Sequence, residues 1–109
     1  MKQVAFLGDS LDAVRSFPER SRREVGYQID RLQRGLEPDD WKPLTTIGPG
    51  VRELRVREAA GAFRVVYLAS FSEAVYVLHA FRKTTQTTSQ RDLERATTRY
   101  KELMRRRAI

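Results

Sequence analysis

The spacing of apolar residues changes twice along the chain, and that change limits what it can fold into. Between positions 10 and 36 they recur at helical intervals: Leu11, Val14 and Phe17, then Val25, Ile29, Leu32 and Leu36. From 53 to 57 they alternate with charged residues, as Leu54 and Val56 do with Glu53, Arg55 and Arg57. A period of two is the mark of a strand with one face toward a core, and a period near 3.6 that of a helix. After position 89 the helical spacing returns with Leu93, Ala96, Tyr100 and Leu103. One chain that carries both periods in separate blocks reads as α+β, with helices packed on a sheet.

Local signals set the boundaries. Val4-Ala5-Phe6-Leu7 reads as a short strand closed by Gly8-Asp9, and Ser10 as the N-cap of a helix through Phe17. Pro18 stands where a second helix begins and Gly35 where it stops. Residues 37–50 hold three of the four prolines and read as a loop, with Trp41, Leu44 and Ile47 folded back onto the core. Strands follow at Glu53–Arg57, Phe63–Leu68 and Val75–Phe81, the last apolar on both faces and so interior to the sheet. Thr84 to Ser89 reads as a polar linker. Ser89 and Asp92 resemble a capping box for a helix running to Arg107. The predicted order is β-α-α-β-β-β-α: a small antiparallel sheet with an N-terminal helical hairpin and a C-terminal helix, the helices on one face. The 109 residues fit one domain spanning 1–109.

Charge is placed as unevenly as spacing. Residues 1–54 hold nine basic and nine acidic side chains, residues 55–109 twelve and five, so the second half carries the whole net charge of +7. Such a surface suits a polyanion, nucleic acid first, since phosphate neutralisation supplies most non-specific affinity. Docking of an acidic partner, or mere solubility, is the plainer use. Arg20, Arg22, Arg23, Arg31 and Arg34 lie near acids and read as surface.

With no cysteine and one histidine, disulfides, thiolate zinc sites, thiol catalysis and multi-histidine metal sites are excluded. Carboxylates could still hold a hard cation such as Mg²⁺. Walker, GxGxxG and HExxH patterns are absent from the sequence. A Ser-His-Asp triad would need His79, which sits inside an apolar strand and reads as structural. No apolar stretch approaches the roughly 20 residues that span a bilayer. The N-terminus does not read as a signal peptide, so a cytoplasmic protein without membrane contact is expected.

What remains is a set of cations on strands. Arg55 and Arg57 share a face with Glu53, Arg64 follows across the hairpin, and Arg82 and Lys83 leave the last strand after Phe81. Neighbouring strands lie about 4.8 Å apart, so cations near one end converge on a single phosphate. Such a cluster binds an RNA backbone and stabilises charge that builds during phosphoryl transfer. Phe81, Tyr67 or Tyr76, if exposed, would stack a base, though the tyrosines read more simply as core.

Three segments together resemble a known family: Val51-Arg52-Glu53-Leu54-Arg55, Ala62-Phe63-Arg64-Val65-Val66-Tyr67 and Val77-Leu78-His79-Ala80-Phe81-Arg82-Lys83-Thr84-Thr85-Gln86-Thr87. In this order and spacing they are similar to the RelE/ParE superfamily of type II toxin–antitoxin toxins, nearest the HigB-like, phage-derived branch. Trp41-Lys42-Pro43-Leu44, Ala96 and Arg99-Tyr100 extend the resemblance over nearly the whole chain. It implies a ribosome-dependent endoribonuclease that inhibits translation by cutting mRNA without metal or cofactor. The ribose 2′-OH attacks the adjacent phosphate. By motif, Arg55 and Arg64 would hold the scissile phosphate and Lys83 would be a second cation or the acid for the leaving oxygen. Arg57, Phe81, Arg82, Thr84 and Gln86 would contact RNA. The implied partners are a helix-turn-helix antitoxin, the ribosome and mRNA, with DNA bound only through the antitoxin complex. The family's usual KKTQKTP segment is altered here, and Arg82 in place of a lysine is a poor general base. A non-catalytic alternative is therefore carried: a gyrase-targeting toxin, or a relative that pairs with an antitoxin only.

Overall fold

The computed structural model describes residues 1–84 and 87–108. A short strand β1, Gln3–Phe6, leads through Gly8 into helix α1, Ser10–Arg15, and then helix α2, Glu19–Gln33. Pro18 takes the N-cap position of α2. Gly35, at φ +79°, closes α2: its N–H donates to Leu32 O, and that of Leu36 to Arg31 O. The left-handed backbone needed there is the reason for glycine. Leu36 lies past this stop and is exposed, so the buried stripe is Val25, Ile29 and Leu32.

Ser10 is not the N-cap of α1. Asp9 holds that position without a side-chain cap bond, and the Ser10 hydroxyl is buried, donating to Val77 O at 3.2 Å. Asp9 is drawn instead to Arg99, 2.6 Å away.

The remaining strands are β2, Trp41–Pro43, β3, Val51–Glu58, β4, Gly61–Leu68, and β5, Ala74–Lys83, before helix α3, Gln90–Arg107. The sheet order is β1-β5-β4-β3-β2. Two features depart from the expected antiparallel meander. β1 pairs parallel with β5, and part of the expected loop, Trp41–Pro43, is an edge strand on β3. Pro43 is tolerated because an edge strand has one side without a ladder. β5 is thus interior, between β1 and β4, which accounts for its apolar character on both faces.

The helices lie on both sides of the sheet, not on one. On the first face Val14 and Phe17 of the α1 segment and Val25, Ile29 and Leu32 of α2 pack with Leu54, Val56, Phe63, Val65, Tyr67, Val75 and Val77. On the second, Ala96 and Leu103 of α3 are buried with Val51, Val66, Leu68, Leu78 and Ile47, and Leu93 and Tyr100 pack against them. Neither face could be left in water, since alternate residues of β4 are apolar in both directions. Trp41 is half-buried beneath the Arg52 guanidinium, 3.9 Å from the ring centroid.

Two devices seat α3. Ser89 caps it, accepting from the Asp92 N–H at 3.2 Å, with its own hydroxyl 2.6 Å from the Asp92 carboxylate. At the other end Arg107 donates to Glu73 at 2.8 Å and lies over Phe71. Between them the β4–β5 register slips: Val66 faces His79 while Tyr67 faces Val77. This irregularity sits at Leu78, whose carbonyl accepts from Arg99 at 2.9 Å. None of the helices described is long and apolar enough to cross a membrane.

Candidate nucleic-acid interface

The strand period places the cations. Leu54 and Val56 point to the first core, so Glu53, Arg55 and Arg57 point to the face that α3 shares. Arg55 is paired in register with Arg64, and Arg64 in turn with Phe81. Lys83 lies one step further along β5, opposite Ala62. Lys42 on β2 is opposite Glu53. One end of this face therefore carries Lys42, Arg55, Arg57, Arg64 and Lys83 with one carboxylate among them.

That carboxylate is Glu53, with no exposure at all. Thr88 Oγ1 donates to its Oε2 at 2.8 Å, Arg64 Nε stands 3.4 Å and Lys42 Nζ 3.8 Å from Oε1. The two longer approaches are ion pairs without hydrogen-bond alignment, and both Glu53 Oε1 and Arg64 Nε lack a hydrogen-bond partner among the described residues. Arg55 Nε is likewise a buried donor without a partner among them.

Exposure separates the cations into layers. Arg64 is 2% exposed, its Nη1 donating to Phe63 O at 3.0 Å. Arg55, Lys83 and Phe81 are half-buried and Arg57 is exposed. Arg64 thus acts as a charge beneath the surface, while Arg55, Arg57 and Lys83 are open to a ligand. Burial, then the Arg64 charge beside it, hold the Lys83 ammonium below its ordinary pKa of 10.5, with Glu53 opposing. Burial and then the charge of Arg55 lower Arg64 in the same way.

Of the residues singled out in the sequence, Arg55, Arg57, Arg64, Phe81 and Lys83 come together. Arg82 does not. Its side chain turns to the opposite face, donating to Ala60 O and standing 5.7 Å from the Phe63 ring centroid. Thr84 follows β5 and is exposed, and Gln86 lies outside the described residues. Tyr67 is fully buried and unavailable for stacking, and Tyr76 donates to Glu73 at 2.9 Å at the far end of the sheet. Lys42 and Thr88 were missed. Lys42 falls in the stretch read as loop, where no period marks its direction.

His79 is satisfied structurally. Its Nε2 is 2.7 Å from Asp92 Oδ1, and its Nδ1 is 3.3 Å from Arg99 Nη1. A guanidinium can only donate, so Nδ1 accepts and the Nε2–H donates to Asp92, the arrangement of a neutral imidazole. Burial lowers its pKa, and Asp92 opposes this without cancelling it. Among the described residues no group of His, Cys, Asp and Glu side chains is gathered so as to hold a metal ion.

A mixed five-stranded sheet with three helices, packed on both of its faces, is an α+β architecture whose element order roughly matches a small RelE-like fold. Residues 12–101 match the model of the phage-derived Gp49-like protein family (DUF891). The chain belongs to that family, which is RelE- and toxin-like. No curated protein sequence matches it.

Proposed function

We propose that this protein is a toxin of the HigB-like branch that cleaves mRNA on the ribosome, in a type II system with a helix-turn-helix antitoxin. The observation that carries the reading is the in-register Arg55–Arg64 pair with the buried Arg55 Nε unpartnered among the described residues. Like charges set directly opposite in a sheet destabilise it. Set beside Lys83 and over one buried carboxylate, the pair suits a site that takes an anion.

The chemistry the cluster suits is transfer of a phosphoryl bond within RNA. The ribose O2′ bonds to the adjacent phosphorus, the P–O5′ bond breaks, and the products are a 2′,3′-cyclic phosphate and a 5′-OH. The O2′ proton passes to water and one proton arrives on O5′, so the step balances. Arg55, with Arg64 beneath it, stabilises the extra negative charge of the phosphorane-like state. Lys83, held below the ordinary lysine pKa, passes a proton to O5′ more readily than an exposed lysine would. Glu53 is fully buried and held by its three neighbours, so it is unsuited to take the O2′ proton. Phe81 stacks a base beside the scissile phosphate, and Arg57 contacts the backbone.

Expression of the wild-type chain should arrest growth and leave mRNA cut within translated codons. Growth arrest with intact mRNA and induction of DNA-damage signalling would favour the gyrase-directed alternative.

A further inference from the structure

We propose that Glu53 is the positioning residue of the cationic cluster: its buried carboxylate aims Arg64, lets the neighbouring cations share one face, and through Thr88 ties the segment leading into α3 to the same charge. The inference deepens the phosphate-site reading above and rests on it for its functional meaning.

The geometry is specific. A carboxylate with no exposed surface is costly unless donors surround it. Glu53 has a hydroxyl from the segment ahead of α3, an ammonium from β2 and a guanidinium from β4, at 2.8, 3.8 and 3.4 Å. Those contacts come from three directions: the Thr88 hydroxyl holds Oε2 by a hydrogen bond, and Lys42 and Arg64 neutralise Oε1 as ion pairs. Four strands' worth of like charge would otherwise repel: Lys42 on β2, Arg55 on β3, Arg64 on β4 and Lys83 on β5. Glu53, with Asp40 also acting on Arg64, is the buried counter-charge among them. Its place in the strand is what puts it there, since Glu53 and Arg55 share one face of β3 and Arg64 is Arg55's partner.

A carboxylate that only filled space would leave its neighbours' protons unchanged. A positioning charge does not. The charged groups facing Lys83 are Arg64 from β4, Arg55 and Glu53 from β3, and Lys42 from β2, and of these Glu53 alone favours the protonated amine. Removing its charge therefore makes Lys83 release its proton at lower pH.

The test is NMR titration of ¹³Cε-labelled lysine in the free full-length protein. The chain has four lysines, so a Lys83→Arg difference spectrum assigns the signal. In Glu53→Gln the Lys83 titration moves to lower pH. An unchanged Lys83 titration in folded Glu53→Gln protein overturns the proposal. Should that variant not fold, Glu53→Asp replaces it: the carboxylate retracts by one methylene, Lys83 again titrates lower, and an unmoved titration again overturns it. Because the readout needs neither ribosome nor RNA, failure of the wild type to cut mRNA would sink the nuclease reading and leave this coupling standing.

Discussion

Arg55 and Arg64 face one another in register across β3 and β4, with the carboxylate of Glu53 buried beside them. Two cations set directly opposite each other weaken a sheet. Layering makes the pair workable: Arg64 lies below the surface with Glu53, and Arg55 keeps an unpartnered buried Nε among the described residues. Under the proposed function a phosphate group would meet Arg55 directly and Arg64 as a field.

Arg55→Ala should lower the cleavage rate by on the order of 10²-fold, the usual effect of deleting one charged donor at a developing oxyanion. Arg55→Lys restores the charge but not the planar fork, and recovers part of the loss. Single-turnover cleavage of ribosome-bound mRNA measures both.

Lys83→Arg keeps a positive charge and removes the ability to part with a proton. Binding of the ribosome-bound message should stay within about twofold, while the cleavage step falls on the order of 10²-fold. Burial and Arg64 depress the Lys83 pKa from 10.5, so the alkaline limb of the wild-type rate profile should lie below the ordinary lysine range. As the acid, Lys83 must be protonated, and activity falls as pH rises through that value.

Arg82→Ala is the contrasting variant. The side chain lies on the opposite face with Ala60 and Phe63, away from the cluster. Cleavage should stay within about twofold of wild type, the range expected for an exposed surface substitution.

Stability should depend on pH through His79. Burial depresses its pKa below 6.5, against Asp92 and Asp9 and in concert with Arg99. The unfolded chain then binds the proton more readily than the folded one. The stability due to neutral His79 is complete above pH 6.5 and is lost as pH falls through the lower folded value. Melting temperatures measured from pH 7.5 to 5 should fall in wild type and fall less steeply in His79→Gln.

Ser89→Ala should destabilise the protein by about 1 kcal/mol through loss of the α3 cap. The cap also steadies Asp92, whose other oxygen holds His79. Urea denaturation measures the change.

Much of this was legible in the residues themselves. Val25, Ile29 and Leu32 mark α2, Ser89 and Asp92 mark the start of α3, and alternation on β3 puts Glu53, Arg55 and Arg57 on one face. What escaped was non-local. The parallel pairing of β1 with β5 depends on residues some seventy positions apart, and a three-residue edge strand containing Pro43 has no period to read. That α3 crosses to the opposite face from α1 and α2 follows from the apolar positions on both sides of β4, which were visible and not used. Arg82 and Lys83 are adjacent on a strand and must point apart, yet charge alone grouped them. Lys42 and Thr88 joined the cluster only through their cross-strand and cross-loop neighbours, Glu53 above all.

The most direct test is to map mRNA ends on translating ribosomes with purified wild-type protein and folded Arg55→Ala. The wild type should cut within the codon at the decoding site, leaving a 2′,3′-cyclic phosphate and a 5′-OH, and Arg55→Ala should lose nearly all of it. Intact mRNA with the wild type, or equal cleavage by Arg55→Ala, would contradict a phosphate site built on Arg55.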